Sequence, residues 1–396
     1  MNIKKKFAIK KIKSFLVLFV LIVVGFLLGR QQSLLPSGSE VSPGSLKRML
    51  SNKNPASPAG GFTFINVHAP YEGEIEKTDA FIAYDKIIEN SNLLPKDKNA
   101  PIILYCKTGR MSAEALETVK KLGYTNVKHL AGGMDNWEKA GGNLSDLSKL
   151  EEIVLPKEGI ELSVSWGTLG KQLVDAGVIN LPEFRKVVNM TPEQEKILTM
   201  GSEEKIKIDA TNSQFVVDIL WALGLAQKSI VYDEGPLGKE YKTEQGNFAS
   251  TGGWNLARGD ATAYLNRFDL IPLTPEQQQK VGEIAKNVFR PCCGNSTWFP
   301  DCNHGMAALA IIELLVSNNV DEVTIYKKLL GFNSFWFPDS YITVATYFSR
   351  QGISWDKVDA KEVLGDKFSS GKGAAETAKK VGPLPYRPTG GGSCGA

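Results

Sequence analysis

From Pro101 to Ala113 the chain sets a thiol at a strand-to-helix junction. Ile102 to Tyr105 is apolar and β-favouring, Cys106 ends the run, and from Ser112 the apolar spacing turns helical through Ala113, Leu116, Val119 and Leu122. Such a junction points unpaired N–H groups and the positive end of a helix dipole at the sulfur, which favours a thiolate at Cys106. Lys107 and Arg110 add side-chain charge for binding an anion, and Thr108, Gly109, Met111 and Ser112 complete the loop that would cradle it. The chemistry on offer is nucleophilic attack by sulfur; the alternative is an inert cysteine buried at a strand end. Cysteine phosphatase chemistry is excluded, because its nucleophile needs an arginine six positions downstream to clamp phosphate, where this chain has Ser112.

A second concentration of chemistry lies at Arg290-Pro291-Cys292-Cys293-Gly294-Asn295 and Cys302-Asn303-His304-Gly305. Three of the five cysteines and one of the three histidines fall here. The apolar run that follows, with Met306, Leu309, Ala310, Ile312, Leu315 and Val316, reads as a helix with Cys302 and His304 at its N-terminus. Three readings stand side by side. Cys292, Cys293, Cys302 and His304 could ligate zinc or copper; two of the cysteines could form a disulfide; or the thiols could form a redox or sulfur-relay pair.

The elements that must position Cys106 carry further motifs. Phe62 to Val67 precedes His68-Ala69-Pro70-Tyr71-Glu72, and Leu122-Gly123-Tyr124-Thr125-Asn126-Val127 leads to Leu130-Ala131-Gly132-Gly133-Met134-Asp135-Asn136-Trp137. In this order, together with the loop from Cys106 to Met111, the stretch from about Leu46 to Gly142 resembles a rhodanese domain, the sulfurtransferase module. The resemblance implies a parallel α/β sheet and a Cys106 that takes a sulfane sulfur as a persulfide and passes it to a thiol acceptor, with no cofactor required. Two positions depart from the family pattern: Asn66-Val67-His68 stands where Asp-x-Arg is frequent, and Met111 where the loop commonly ends in Arg. Lys107 and Arg110 must then supply the side-chain charge for a small sulfur donor. His68 and His129 read as packed side chains. A strand near Phe81-Ile82 and a helix from Tyr84 complete the expected alternation.

Of the 396 residues, 42% are apolar and 22% charged, ordinary for globular domains, and a net charge of +3 gives no reason to expect a nucleic-acid partner. Lys4, Lys5, Lys6, Lys10, Lys11 and Lys13 precede an apolar run from Phe15 to Leu28. Residues 1–14 therefore read as a basic cytoplasmic segment and 15–29 as a single transmembrane helix anchoring the protein in the cell membrane, with the later domains extracytoplasmic. A cleaved signal peptide is the alternative, since the run is short for a span. Residues 30–45 read as a Ser/Gly/Pro linker and 46–145 as the rhodanese-like domain.

Beyond a linker segment from Leu144 to Pro156 the period changes. Phe215, Val216, Ile219, Leu220 and Leu223 form a helical stripe, Thr274-Pro275-Glu276 opens a capped helix, and strand-like runs are scarce. Residues 160–355 read as a separate, mostly α-helical domain carrying the Cys/His cluster. It resembles a helical module appended to extracytoplasmic rhodanese-like proteins, from which no activity carries over. Gly246 to Trp254 reads as a surface loop packed by Phe248 and Trp254. Residues 356–396 read as a flexible Gly-rich tail with an exposed thiol at Cys394. The sequence thus predicts an outward-facing sulfurtransferase or persulfide carrier. The alternative is a metal-binding or thiol-redox protein acting through Cys292, Cys293, Cys302 and His304, its rhodanese-like domain serving as an interaction module.

Overall fold

The computed structural model describes residues 38–53 and 61–384. They form two compact units: the described residues up to Ala69 with Ile82–Gly142, and Pro70–Phe81 with the chain from Asn143 onward. The expected basic segment 1–14 and expected span 15–29, and Cys394, lie outside the described residues. Among the described residues no helix is long and apolar enough to cross a membrane.

In the first unit, β1 (Glu40–Val41), β2 (Thr63–Asn66), β3 (Ile102–Tyr105) and β4 (Val127–Leu130) pair in the order β1-β4-β3-β2, parallel throughout. Ile65, Ile102 and Leu104 pack with Ala115, Leu116 and Val119, while Phe64 and Tyr105 meet at 4.6 Å. Strands buried on both faces account for the unbroken apolar run at β3. Helices α1 (Pro43–Ser51), α2 (Arg110–Lys121) and α3 (Gly133–Lys139) belong to the same unit.

Two expectations for this unit fail. Residues 38–45 are not linker, because β1 takes its hydrogen-bond partners from β4 and Ser42 caps α1. No α-helix starts at Tyr84: the chain runs through turns to a single 3₁₀ turn at Ser91–Leu93, with Ile87 in the core and Ile88 67% exposed.

The second unit is mostly helical, as expected, but it also holds an antiparallel pair, β5 (Ile160–Gly167) with β6 (Ser202–Ile208). Its alternating polar residues hid that strand signal. Helix α4 (Ser213–Ala226) buries the predicted stripe, and α5 (Pro275–Ala285) opens with the capping box of Thr274 and Gln277. Helices α6 (Asn303–Ser317), α7 (Glu322–Trp336) and α8 (Pro338–Arg350) follow. At Gly224 of α4 a Cβ would lie 2.1 Å from Met306 O of α6, so the glycine is what lets these helices cross. Trp254 is buried, its Nε1 donating to Val178 O at 2.8 Å, and Phe248 packs on Tyr241 and Phe299, as expected of that loop.

The stretch expected to be a flexible tail is structured up to residue 384. Val363, Leu364 and Phe368 are buried and α9 (Gly371–Val381) closes it. The linker from Leu144 to Pro156 likewise forms a short strand and a helix, with Leu147, Leu150 and Val154 buried.

Pro70–Phe81 enters this unit through a buried ion pair. Arg350 Nε and Nη2 reach the Glu74 carboxylate at 3.1 and 3.3 Å, and Nη1 donates to Val381 O and Asp79 O at 2.7 and 3.2 Å. Glu74 is 2% and Arg350 6% exposed. Burial raises the affinity of Glu74 for its proton, and Arg350 opposes that shift. Removing one partner strands a buried charge. We expect Arg350→Met to lower the unfolding free energy by about 3–5 kcal/mol and the double variant Glu74→Gln/Arg350→Met to recover part of that loss. Urea unfolding of the three proteins checks it, and equal losses in the single and double variants would count against the pair.

Candidate functional site

Strand β3 delivers Cys106, buried, to the loop that precedes α2. Helix α2 begins at Arg110 rather than Ser112, because Gly109 takes φ 97° as its N-cap, a left-handed conformation that favours glycine. That turn brings two N–H groups onto the sulfur: Gly109 N–H at 3.1 Å and Ser112 N–H at 3.4 Å. The loop is held from behind by the start of α3, where Met134 N–H donates to Cys106 O at 2.9 Å and Asp135 N–H to Lys107 O at 3.0 Å. At Gly133, φ 59°, a Cβ would lie 2.2 Å from Cys106 O. The Gly132-Gly133 pair therefore sets the shape of the cysteine loop.

Of the loop residues expected to act, Gly109 and Ser112 meet the sulfur. Lys107 and Thr108 are exposed, and Met111 packs against the core around Leu116. Arg110 is exposed, with Nη1 2.6 Å from Glu114 Oε1 and its guanidinium over the Tyr84 ring. Glu114 therefore already compensates one of the two cations expected to bind an anion.

His129 was expected only to pack, but it extends the site. Ser112 Oγ lies 3.5 Å from Cys106 Sγ and 3.2 Å from His129 Nδ1, and His129 Nε2 faces Glu40 Oε1 at 3.6 Å. With the carboxylate at Nε2, the proton of the neutral ring belongs there and Nδ1 is left to accept. Burial shifts the ring toward that neutral form, lowering its pKa from the usual value. Ser112 Oγ also donates to Gly109 O at 3.1 Å, so it joins the sulfur, the loop backbone and the His129 ring. The strand register accounts for this and is not visible in the sequence: β4 runs parallel to β3 with His129 opposite Leu104, two residues before the cysteine, at the carboxyl end where open α/β sheets bind ligands.

In the second unit the sulfurs of Cys292, Cys293 and Cys302 lie within 4.8 Å of one another, and none is in a disulfide. His304 falls outside this group of ligand atoms. Its ring centroid is 4.5 Å from that of Phe337 and 5.6 Å from that of Trp336, and its buried Nδ1 has no hydrogen-bond partner. Burial lowers its pKa to about 4. Cys302 is the N-cap of α6, as its position in the sequence implied. The loop is pinned by Gly371 N–H donating to Cys293 O at 2.7 Å and by Asn333 Nδ2 donating to Phe289 O at 3.2 Å. The sequence reading gave Arg290 no role, yet it is the largest charge here and is fully buried, its Nε donating to Cys302 Sγ at 3.0 Å. Hydrogen bonds from Cys292 and Cys293, then Arg290, hold the Cys302 thiol well below the ordinary range.

The glycine behind the Cys106 loop gives a direct test. Gly133→Ala forces a methyl group against a carbonyl oxygen, and we expect a loss of roughly 1–3 kcal/mol in urea unfolding together with altered alkylation of Cys106 by iodoacetamide. Unchanged values for both would show that the loop does not depend on this contact.

Residues 65–140 match the rhodanese-like domain family. The chain is 37% identical over 106 residues to a probable adenylyltransferase/sulfurtransferase, MoeZ, of Mycobacterium tuberculosis, covering 26% of this chain and 25% of that protein. It is 30% identical over 83 residues to a thiosulfate:glutathione sulfurtransferase of Saccharomyces cerevisiae, covering 21% of this chain and 58% of that one. Among solved structures, a rhodanese-related protein of Thermoplasma volcanium aligns at 22% identity, with a TM-score of 0.23, over 27% of this chain and 98% of its own. The chain thus spans a quarter of the mycobacterial relative and little more than half of the yeast one. The family match spans the stretch that holds Cys106: the chain carries a rhodanese-like domain.

Proposed function

We propose that this protein is a sulfurtransferase whose Cys106 carries sulfane sulfur between a small donor and a thiol acceptor. The observation that carries this reading is the pair of N–H groups, from Gly109 and Ser112, converging on a buried sulfur at the mouth of a parallel sheet. The names of the mycobacterial and yeast relatives support it. In the reaction the Cys106 thiolate attacks the outer sulfur of the donor. The donor's S–S bond breaks and its residue leaves with the bonding pair, as sulfite if the donor is thiosulfate. Cys106 becomes a persulfide anion stabilised by the loop N–H groups. An acceptor thiolate then attacks the outer sulfur, takes it as its own persulfide and returns the Cys106 thiolate. Ser112, in contact with His129, lies beside the thiol that must first lose its proton.

Exposure of the purified protein to thiosulfate or an inorganic polysulfide should add the mass of a single sulfur atom at Cys106, and cyanide or a small thiol should remove it. Cys106→Ser should not gain that label. A label persisting in the variant at the same site occupancy would mean that another residue is the nucleophile.

The proposed setting is the outer face of a membrane. Its support is the lysine cluster from Lys4 to Lys13 ahead of the apolar run Phe15 to Leu28. A reporter fused after Ala396 should then be active only outside the cytoplasm, and cytoplasmic activity would overturn this placement.

A further inference from the structure

The reaction proposed for Cys106 does not use the three thiols of the second unit, and their surroundings treat them unequally. Cys302 sits where the N–H groups of the 15-residue helix α6 have no helical partner, and it accepts Arg290 Nε at 3.0 Å. Arg290 is 0% exposed, and its guanidinium keeps its proton in a protein. Its other donors reach Asn295 O at 2.9 Å, Phe299 O at 3.2 Å and Asp301 Oδ1 at 2.6 Å. At Gly305 a Cβ would lie 2.6 Å from Arg290 Nη2, so the cation lies directly against the first turn of α6. A buried cation pressed on the positive end of a helix dipole needs anions beside it. Asp301 is one, and the Cys302 sulfur, which accepts from Arg290 Nε, is placed to be the second.

The other two sulfurs are placed as thiols. Cys293 Sγ points at Asp301 Oδ1, 3.7 Å away, and at Asn295 O, 3.8 Å away, and a carboxylate beside a thiol opposes its ionisation. Cys292 Sγ lies 3.5 Å from Cys302 Sγ. A disulfide needs about 2.05 Å between sulfurs, so a modest side-chain movement closes that gap. One thiolate beside one thiol is the starting state of thiol–disulfide exchange.

We propose that Cys302 and Cys292 form a redox-active dithiol that exchanges with the S–S bond of a partner disulfide, Cys302 attacking and Cys292 resolving. In the first step Cys302 sulfur bonds to one sulfur of the partner, whose S–S bond breaks, and the other half leaves as a thiolate. Cys292 then gives its proton to that departing thiolate or to water, and its sulfur attacks Cys302 Sγ. The mixed disulfide breaks and the second half leaves with the bonding pair. The dithiol has lost two electrons and the partner disulfide has gained them; an external dithiol runs the sequence backwards and resets the site. Arg290 acts as a positioning residue for the Cys302 thiolate.

The test uses the full chain with Cys106→Ser and Cys394→Ser, so its outcome is independent of the sulfur-loading experiment on Cys106. The reduced protein is treated with glutathione disulfide and mapped by peptide mass without reduction. We expect a Cys292–Cys302 disulfide with both glutathione halves released. Adding Cys292→Ser should stall the reaction with glutathione on Cys302, and Cys302→Ser should slow the consumption of glutathione disulfide at least tenfold. Arg290→Lys keeps the charge without the Nε hydrogen bond. It should move the midpoint of the pH profile for Cys302 alkylation upward while leaving far-ultraviolet circular dichroism unchanged. Reaction of Cys302→Ser at the parental rate, or glutathione captured on Cys293 instead of Cys302, would overturn the proposal. So would a purified, reduced chain that holds stoichiometric zinc or copper and reacts only after chelation.

Discussion

A sulfur anion at the end of a buried strand can exist only if something replaces the water it has lost. In this chain the backbone does so: Gly109 and Ser112 turn their N–H groups onto Cys106, and everything else about the site follows from holding that turn. Gly109 must adopt a positive φ for the turn to form, and Gly133 must lack a side chain for α3 to donate to the carbonyls of Cys106 and Lys107. The loop is therefore fixed from both sides by hydrogen bonds, with no side-chain cation required. A cradle of this kind adds no net charge, so it costs little to bury.

The second thiol centre is built instead around full charges. Arg290 is fully buried, lies against the helix that Cys302 caps, and is balanced by Asp301. Interactions between full charges at low dielectric are strong but must be matched, because an unpaired member costs several kcal/mol. Such a site depends on its whole neighbourhood. The loop carrying Cys292 and Cys293 is tied to α7 through Asn333 and to α9 through Gly371, and Tyr341 joins the network by its hydrogen bonds to Asn333 and Ser369. The helices after residue 355 are thus part of the frame of this site.

That frame explains what could and could not be read in the sequence. Elements with their own periodicity were legible: β3 from its apolar run, α2 from its spacing, α4 from its stripe, and α5 from the Thr274 cap. Elements that exist only through distant partners were not. Strand β1 lies in a Ser/Gly/Pro context and is stable because β4 pairs with it. The region of α9 reads as disordered because it is rich in glycine and alanine, yet those small residues are there for close packing, since a Cβ on Gly373 would lie 2.3 Å from Asp366 O. Cys106 and Cys302 were legible as thiols at helix N-termini. His129 and Arg290 were not, because what gives each its role is a neighbour far away in sequence or a burial that no local pattern reports.

The missing loop arginine at Met111 gains meaning from the same geometry. Arg110 is held by Glu114, so the mouth of the Cys106 loop presents less positive charge than its sequence suggests. An anionic donor would be drawn chiefly by the exposed Lys107 and by the loop N–H groups. Long-range attraction of a doubly charged donor is correspondingly weak, whereas the persulfide proposed for Cys106 would carry a single charge that neutral dipoles can hold. The arrangement therefore discriminates between the two halves of the proposed reaction. On the reading proposed above, such a cradle would do more to hold a sulfur once bound than to capture a free anion from solution.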